Sequence, residues 1–247
     1  MPNIYGVLPV LEALRAGARR IDRIVIAAGG RDARLREVLE AARRAQVPVR
    51  REPRISLDRL THNANHQGVL AITSAASYSD ADDLLTSISP ETMLILLDGV
   101  EDPHNLGAII RTAECGGASA VVVPERRAAH LTEVVSKSSA GAIEHLPVAR
   151  VINLASYIEA LKNRDVWVVG VESTGQIAYT EYDYSGATAL VFGGEGGGLH
   201  RLVRERCDAV VSIPMLGRVS SLNVSVAVGV VLFEAIRQRS VRQRRES

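Results

Sequence analysis

From residue 93 onward, the sequence alternates short, uninterrupted apolar runs with segments of helical periodicity, and no other feature constrains the fold as strongly. The apolar runs lie at 93–98, 120–123, 166–171, 189–192 and 209–214, and helical patterns fill intervals such as 106–115, 154–163 and 200–207. A continuous apolar run is typical of a strand that is buried on both faces of a sheet. Strands that alternate with helices favour a mostly parallel sheet covered on both sides. The sequence therefore predicts an α/β domain over residues 91–247.

The first 75 residues carry a shorter alternation of their own. Helical periodicity at 7–18, 32–46 and 56–63 is interleaved with extended patterns at 21–27, 47–50 and 68–73. This pattern predicts a second, smaller α/β domain over residues 1–75. The small, polar and acidic stretch at 76–90 is typical of a linker between domains.

The segment 222–239 is ambiguous, because its many valines have strand propensity. Its length and the possible caps at Ser220 and Ser221 favour a helix. A helix that is apolar nearly all round must be buried on more than one side. We therefore expect it to pack against its own sheet and against a partner subunit.

The formal net charge of +1 hides an uneven distribution. Residues 1–77 carry a net charge of +6, residues 78–236 carry −9, and residues 237–247 carry +4. Basic segments at both ends suggest contact with a polyanion, although solvated helix faces explain the charge alone equally well.

Several protein classes are not expected. The longest strongly apolar stretch, 222–233, is interrupted by polar residues and is shorter than the roughly 18 residues needed to cross a bilayer. No cationic-then-apolar leader opens the chain. Cys115 and Cys207 form neither a disulfide framework nor a zinc motif. We expect a cytoplasmic protein without a metal site.

Three segments of the second domain are rich in residues that a sheet core does not require. The first follows the strand at 93–98 and contains Asn105 and Arg111, six positions apart. The second reads F-G-G-E-G-G-G-L at 192–199, and the third reads I-P-M-L-G-R-V-S-S-L-N-V-S-V-A at 213–227. Taken singly, Asn105 resembles a helix cap and Arg111 a surface charge. The three segments together indicate a functional site.

The glycine cluster at 193–198 lies between a strand and a helix, where backbone amides can approach a ligand closely. It does not match the G-x-G-x-x-G register of dinucleotide-binding proteins, and it lacks the Gly-Lys-Ser/Thr ending of a P-loop. A flexible turn remains possible, but it leaves Glu195 unexplained.

In combination, the three segments resemble the motifs of the SPOUT superfamily, and specifically of the SpoU-type RNA ribose 2′-O-methyltransferases. This resemblance, which spans about residues 91–240, implies a deep trefoil knot whose crossings form an S-adenosylmethionine pocket. Ordinary topology rules alone favour an unknotted doubly wound sheet. By motif, the resemblance assigns these residues to cofactor binding: Gly193, Gly194, Glu195, Ile213, Met215, Gly217, Leu222 and Asn223.

The first domain also resembles the N-terminal domain of many such enzymes, through Ile4-Tyr5-Gly6 and His66-Gln67-Gly68-Val69. That domain is similar to a ribosomal-protein RNA-binding fold. The resemblance implies RNA as the partner, a guanosine of 23S ribosomal RNA as the target, and a homodimer. Within the domain, the candidates for RNA binding are Arg15, Arg19, Arg20 and Arg23.

The resemblance assigns catalysis to the region around Arg111, sometimes described as the base. A guanidinium is effectively always protonated in proteins, so we expect Arg111 to bind a phosphate and orient the ribose hydroxyl. Asn105 and Glu195 would position Arg111, while Ser221 and Asn223 would contact the ribose and the cofactor.

Three other functions remain open at this point. A nucleotide-dependent oxidoreductase lacks its fingerprint motif. A non-catalytic RNA-binding or assembly factor has no need for Asn105, Arg111, Glu195 and Asn223. A transfer-RNA ribose methyltransferase is the nearest rival, and the small N-terminal domain argues for ribosomal RNA instead.

Overall fold

The structure is a computed structural model that describes residues 3–29, 33–194 and 197–246. Its strands are β1 Asn3–Tyr5, β2 Ile21–Ala27, β3 Val49–Glu52, β4 Val69–Thr73, β5 Met93–Asp98, β6 Ala120–Pro124, β7 Val148–Val151, β8 Trp167–Val171, β9 Ile177–Ala178, β10 Thr188–Gly193 and β11 Ala209–Ser212. Its α-helices are α1 Val7–Ala16, α2 Ala33–Arg44, α3 Arg54–Leu60, α4 Ala81–Thr86, α5 Pro103–Cys115, α6 Glu133–Ser138, α7 Leu154–Lys162, α8 Arg201–Arg206 and α9 Val224–Glu246.

The chain divides into two compact units. The first unit comprises Met1–Ser77 and His130–His145, and the second comprises Tyr78–Ala129 and Leu146–Ser247. Residues 130–145, which the sequence analysis placed in the second domain, thus belong to the first unit. The expected linker at 76–90 contains α4, whose apolar side chains pack against the core of the second unit.

The first unit is built on a four-stranded sheet in the order β1-β4-β2-β3. The β1–β4 and β2–β4 pairs are antiparallel, and the β2–β3 pair is parallel. Because successive side chains of a strand point to opposite faces, β2 contributes Ile24 and Ile26 to the core under α1 and α2, and Val25 to the core under α3. The predicted small α/β domain is therefore present, with helices on both faces of its sheet.

The segment 130–145 completes this unit with α6 and a 3-10 turn at Ala142–Glu144. Buried Glu144 accepts a hydrogen bond from Nε of Arg19 at 2.9 Å, and His145 contacts Glu12 at 2.8 Å. Gly141 packs so closely against α1 that a Cβ atom there would lie 2.6 Å from the Cβ of Glu12. The segment is thus an integral part of the first unit.

The second unit contains a seven-stranded sheet in the order β7-β6-β5-β10-β8-β11-β9, in which every pair is parallel. All six residues of β5 are buried, as its apolar pattern predicted. Helices α4, α7 and α8 cover one face, and α5 and α9 pack against each other and contact the sheet. The predicted parallel α/β architecture is confirmed.

The ambiguous segment at 222–239 is helical. Residues such as Val228 and Leu232 of α9 are fully buried, and Leu232 contacts Gly116 at the end of α5. The side chain of Asn223 accepts a hydrogen bond from the amide of Ser225 at 2.9 Å, so Asn223 caps the helix. Among the described residues, no helix combines the length and apolarity needed to span a membrane.

Candidate active site

A cleft of about 510 Å³ lies at the carboxyl edge of the sheet of the second unit. Cofactor and ligand sites typically have volumes of about 300–1,000 Å³, and in open α/β sheets they lie at this edge. The ends of β8 and β10, the loop after β11 and the beginning of α9 form its walls. The lining residues are Val171, Glu172, Ser173, Phe192, Gly193, Gly194, Gly198, Ile213, Met215, Ser220, Ser221, Leu222, Asn223, Val224 and Ala227.

The glycines at the end of β10 permit close packing of backbone segments. A Cβ atom on Gly193 would lie 2.7 Å from the amide nitrogen of Leu199, and one on Gly194 would lie 2.7 Å from the carbonyl carbon of Gly99. The amide of Gly194 donates a hydrogen bond to the carbonyl oxygen of Asp98 at 2.8 Å. Because neighbouring backbone leaves no room for a side chain, glycine is required at both positions.

Glu172 lines the cleft and was missed by the sequence analysis. Its Oε1 atom accepts a hydrogen bond from the amide of Leu199 at 3.1 Å, and its Oε2 atom lies 2.9 Å from Nε of Arg204. It follows the apolar run of β8 directly, so the carboxyl-edge rule could have found it. Glu195, which the sequence analysis placed in this region, lies outside the described residues.

The charge of the cleft limits the class of ligand. Glu172 is the single charged side chain among the described lining residues. Apolar side chains, including Phe192, Ile213, Met215 and Leu222, alternate with glycine backbone. Polyphosphate cofactors are commonly bound by Lys or Arg side chains in addition to a helix N-terminus, and the described lining includes the start of α9 but no Lys or Arg. The lining therefore fits a phosphate-free adenosine cofactor such as S-adenosylmethionine better than a dinucleotide.

A hydrogen bond joins two of the predicted motifs. Asn105 lies in the first turn of α5, is only 8% exposed, and accepts a hydrogen bond from Nδ2 of Asn223 at 2.9 Å. Asp102 caps α5 by accepting hydrogen bonds from the amides of His104 and Asn105. Positions 118 residues apart in sequence thus meet beside the cleft.

The structure brings most of the predicted second-unit residues together. Those that line the cleft are Gly193, Gly194, Ile213, Met215, Ser221, Leu222 and Asn223. Gly217 and Arg111 are outside this lining. Arg111 is exposed on α5 and forms no hydrogen bond or ion pair with any residue that the structure describes.

The predicted RNA-binding arginines of the first unit differ in their availability. Arg19 is buried in its pair with Glu144, its side chain being 8% exposed, and cannot reach a phosphate in this arrangement. Arg15 and Arg20 are exposed but are paired with neighbouring carboxylates. The Nε atom of Arg23 is buried. The Arg19–Glu144 pair could not be predicted from the sequence, because the two residues are 125 positions apart.

Two protein-family models match the chain. Residues 92–233 match the model described as the SpoU rRNA Methylase family. Residues 3–79 match the model described as RNA 2′-O ribose methyltransferase substrate binding. The two models together cover both the sheet with the cleft and the main segment of the first unit.

Individual proteins and solved structures resemble almost the whole chain. A 23S rRNA (guanosine-2′-O-)-methyltransferase, RlmB, of Xylella fastidiosa is 41% identical over 96% of this chain and 97% of its own length. A putative TrmH family tRNA/rRNA methyltransferase, YacO, of Bacillus subtilis is 40% identical over 96% of each chain. The crystal structure of the SpoU methyltransferase AviRb from Streptomyces viridochromogenes in complex with AdoMet superposes with a TM-score of 0.79 at 27% identity, over 97% of this chain and 90% of that one. With its cleft, its glycine loop and its joined motifs, this chain belongs to the SpoU rRNA methylase family.

Proposed function

We propose that this chain transfers a methyl group from S-adenosylmethionine to a ribose 2′-hydroxyl of RNA, with a guanosine of 23S ribosomal RNA as the target. The observation that carries the proposal is the cleft itself, whose described lining contains no positively charged side chain. Asn223 in that lining is hydrogen-bonded to Asn105 on α5, the helix that carries Arg111. The naming of the RlmB relatives supports the choice of target.

The cofactor would be held mainly by backbone. The loop at Gly193 and Gly194 and the loop at Ile213 and Met215 face the cleft, together with Leu222. We include Glu195 and Gly217 in this site on the basis of their motifs. When bound, S-adenosylmethionine supplies an activated methyl group on a sulfonium. We also include the trefoil knot of this family in the proposal.

The task left to the protein is to orient the acceptor hydroxyl, because positioning alone lowers the barrier by several kcal/mol. Arg111 remains protonated and can donate several hydrogen bonds to a phosphate next to the target ribose. The Asn105–Asn223 bond holds the first turn of α5 against the start of α9, and Ser221 contacts the ribose. A phosphate oxygen or a water molecule accepts the hydroxyl proton.

RNA affinity would come from the first unit. Arg15 and Arg20 remain candidates, because weak surface ion pairs exchange readily for phosphate contacts. The arginines on β3 and α3 are exposed and have no ion pair with any carboxylate that the structure describes; they are Arg50, Arg51, Arg54 and Arg59. If RNA is bound through such residues, its affinity should fall steeply as the salt concentration rises.

We further propose that the chain is a cytoplasmic homodimer. Val226 and Phe233, seven residues apart on α9, are each 50% exposed and lie on one face of the helix. Replacing Phe233 by Glu should then shift the sedimentation of the protein from dimer to monomer, whereas an unchanged sedimentation coefficient would exclude this face.

Mapping of ribose methylation in RNA from cells that lack this protein tests the proposal. Loss of one 2′-O-methylguanosine from 23S ribosomal RNA is expected, whereas loss from transfer RNA alone would identify a different substrate. In vitro, Arg111→Ala should abolish methyl transfer and leave S-adenosylmethionine affinity unchanged in calorimetry. If the affinity for S-adenosylmethionine were lost as well, the assignment of Arg111 to orienting the RNA substrate would be wrong.

A further inference from the structure

Three side chains outside the cleft lining meet at the same edge of the sheet. Asp98, the buried last residue of β5, accepts two hydrogen bonds from His200, one from its amide at 2.7 Å and one from ring atom Nδ1 at 2.9 Å. The other ring nitrogen, Nε2, lies 3.2 Å from Nη1 of Arg127, in the loop after β6. The carbonyl of Asp98 also binds Gly194 in the cleft wall, so this cluster adjoins the candidate active site.

The contacts determine where the imidazole proton lies. A guanidinium has five N–H donors and no acceptor, so Nε2 of His200 must accept from Arg127. Nδ1 therefore carries the proton and donates it to the carboxylate of Asp98. Asp98 thus holds the orientation of the His200 ring, and the ring holds one edge of the Arg127 guanidinium. The remaining N–H donors of Arg127 are left for another partner.

The backbone around Arg127 also indicates a built feature. Arg127 has a φ of 57°, in the left-handed region that costs a residue with a Cβ atom roughly 1–2 kcal/mol. The loop is fastened on both sides, because the amide of Glu125 donates to Val151 and the amide of Ala129 donates to Val100. Backbone held in this conformation occurs at active sites and ligand clamps, and six other described residues with a Cβ atom share it.

Arg127 has no carboxylate partner in the described part of the chain, and half of the His200 side chain is exposed. An exposed guanidinium that is already oriented by one hydrogen bond is well suited to the two oxygens of a phosphodiester.

We propose that Arg127, oriented by His200 and Asp98, binds a phosphodiester of the RNA substrate beside the cleft. Arg127 is the binding residue, and His200 and Asp98 are positioning residues. This inference rests on the proposed function only in naming RNA as the ligand. It adds a contact in the second unit to those expected from the arginines of the first unit.

The test compares Arg127→Ala, His200→Ala and the double variant with Arg126→Ala, a matched control that removes another exposed charge one position away. Initial rates of labelled methyl transfer into a 23S ribosomal RNA transcript give kcat and KM. Filter binding of the same RNA at several KCl concentrations gives the affinity without turnover. Calorimetry with S-adenosylmethionine confirms that each variant is folded.

Arg127→Ala should raise the KM and Kd for RNA about 10-fold with less than a twofold change in kcat. The slope of log Kd against log[KCl] should decrease by about 0.7–0.9, which is the contribution of one phosphate contact. His200→Ala should raise KM about 3-fold, and it should add nothing in the Arg127→Ala background, because it acts through Arg127. Arg127→Lys should restore only part of the affinity.

The proposal is overturned if Arg127→Ala and Arg126→Ala change the KM and Kd for RNA equally, or if Arg127→Ala lowers kcat at constant KM. It is also overturned if the effects of Arg127→Ala and His200→Ala on KM are additive in the double variant. A wild-type protein that binds RNA through Arg127 without methylating it would refute the proposed function and leave this inference standing.

Discussion

Gly194 offers a direct test of how the cleft is built, through the substitution Gly194→Ala. The added methyl carbon would overlap the carbonyl oxygen of Gly99, the nearest atom, and would lie 2.7 Å from its carbonyl carbon, whereas ordinary carbon–carbon contacts are about 3.5–4.0 Å. Since the obstacle is backbone on a neighbouring strand end, β10 and the loop after β5 must separate by about 1 Å. Overpacking of this kind typically costs about 1–3 kcal/mol of unfolding free energy.

The same displacement would move one wall of the cleft. We expect the Kd for S-adenosylmethionine to rise at least about 10-fold, equivalent to about 1.4 kcal/mol, and kcat to fall up to about 100-fold, since a 1 Å misplacement can have that effect. Urea unfolding and calorimetry measure the two quantities. Gly197→Ala is the matched control, because a Cβ atom there meets no atom of the described residues within 4 Å. Equal behaviour of the two variants would refute the steric argument.

Three further predictions concern stability and reactivity. Arg19→Ala should lower the unfolding free energy by about 3–5 kcal/mol, because it leaves Glu144 buried without its partner. Burial already raises the pKa of Glu144, so the loss of unfolding free energy, measured by urea titration, should grow as the pH rises from 5 to 8. A loss that did not change with pH would contradict this reasoning. Burial raises the pKa of Cys207 to about 12, so Ellman's reagent at pH 8 should titrate only exposed Cys115 in the native protein and both thiols in guanidinium. Arg239→Ala should lower the unfolding free energy in urea titrations by about 2–4 kcal/mol, because four backbone carbonyls would lose a hydrogen-bond donor, and only those of Thr92 and Gly186 keep one from Thr188; a Lys variant that unfolded like the wild type would show that charge alone suffices.

Much of the second unit could be predicted from local pattern, for a physical reason. A strand buried on both faces has to be almost entirely apolar, as β5 is before Asp98, and a polar residue at or directly after the end of such a strand lies at the carboxyl edge. Gly193 and Gly194 come at the end of β10, and Asn105 lies in the first turn of the helix that follows β5, so both segments are placed at this edge. The same rules apply to Glu172, which was overlooked because a single acidic residue after a strand carries no motif.

What could not be predicted depends on contacts between distant positions. Arg19 and Glu144 are 125 residues apart, and nothing local in either segment indicates that they form a buried pair. The pairing of Asp98 with His200 spans 102 residues in the same way. The assignment of residues 130–145 to the first unit likewise follows from packing against α1, which helical periodicity alone does not reveal.

The discontinuity of the first unit has a consequence for synthesis in the cell. Its sheet is encoded within the first 77 residues, but α6 and Glu144 are translated only after β5, α5 and β6 of the second unit. At about 5–20 residues per second, the nascent sheet waits several seconds for the segment that neutralises Arg19 and covers α1. During that interval the ribosome carries a basic, incompletely covered domain, and truncation at residue 77 would make that transient state permanent.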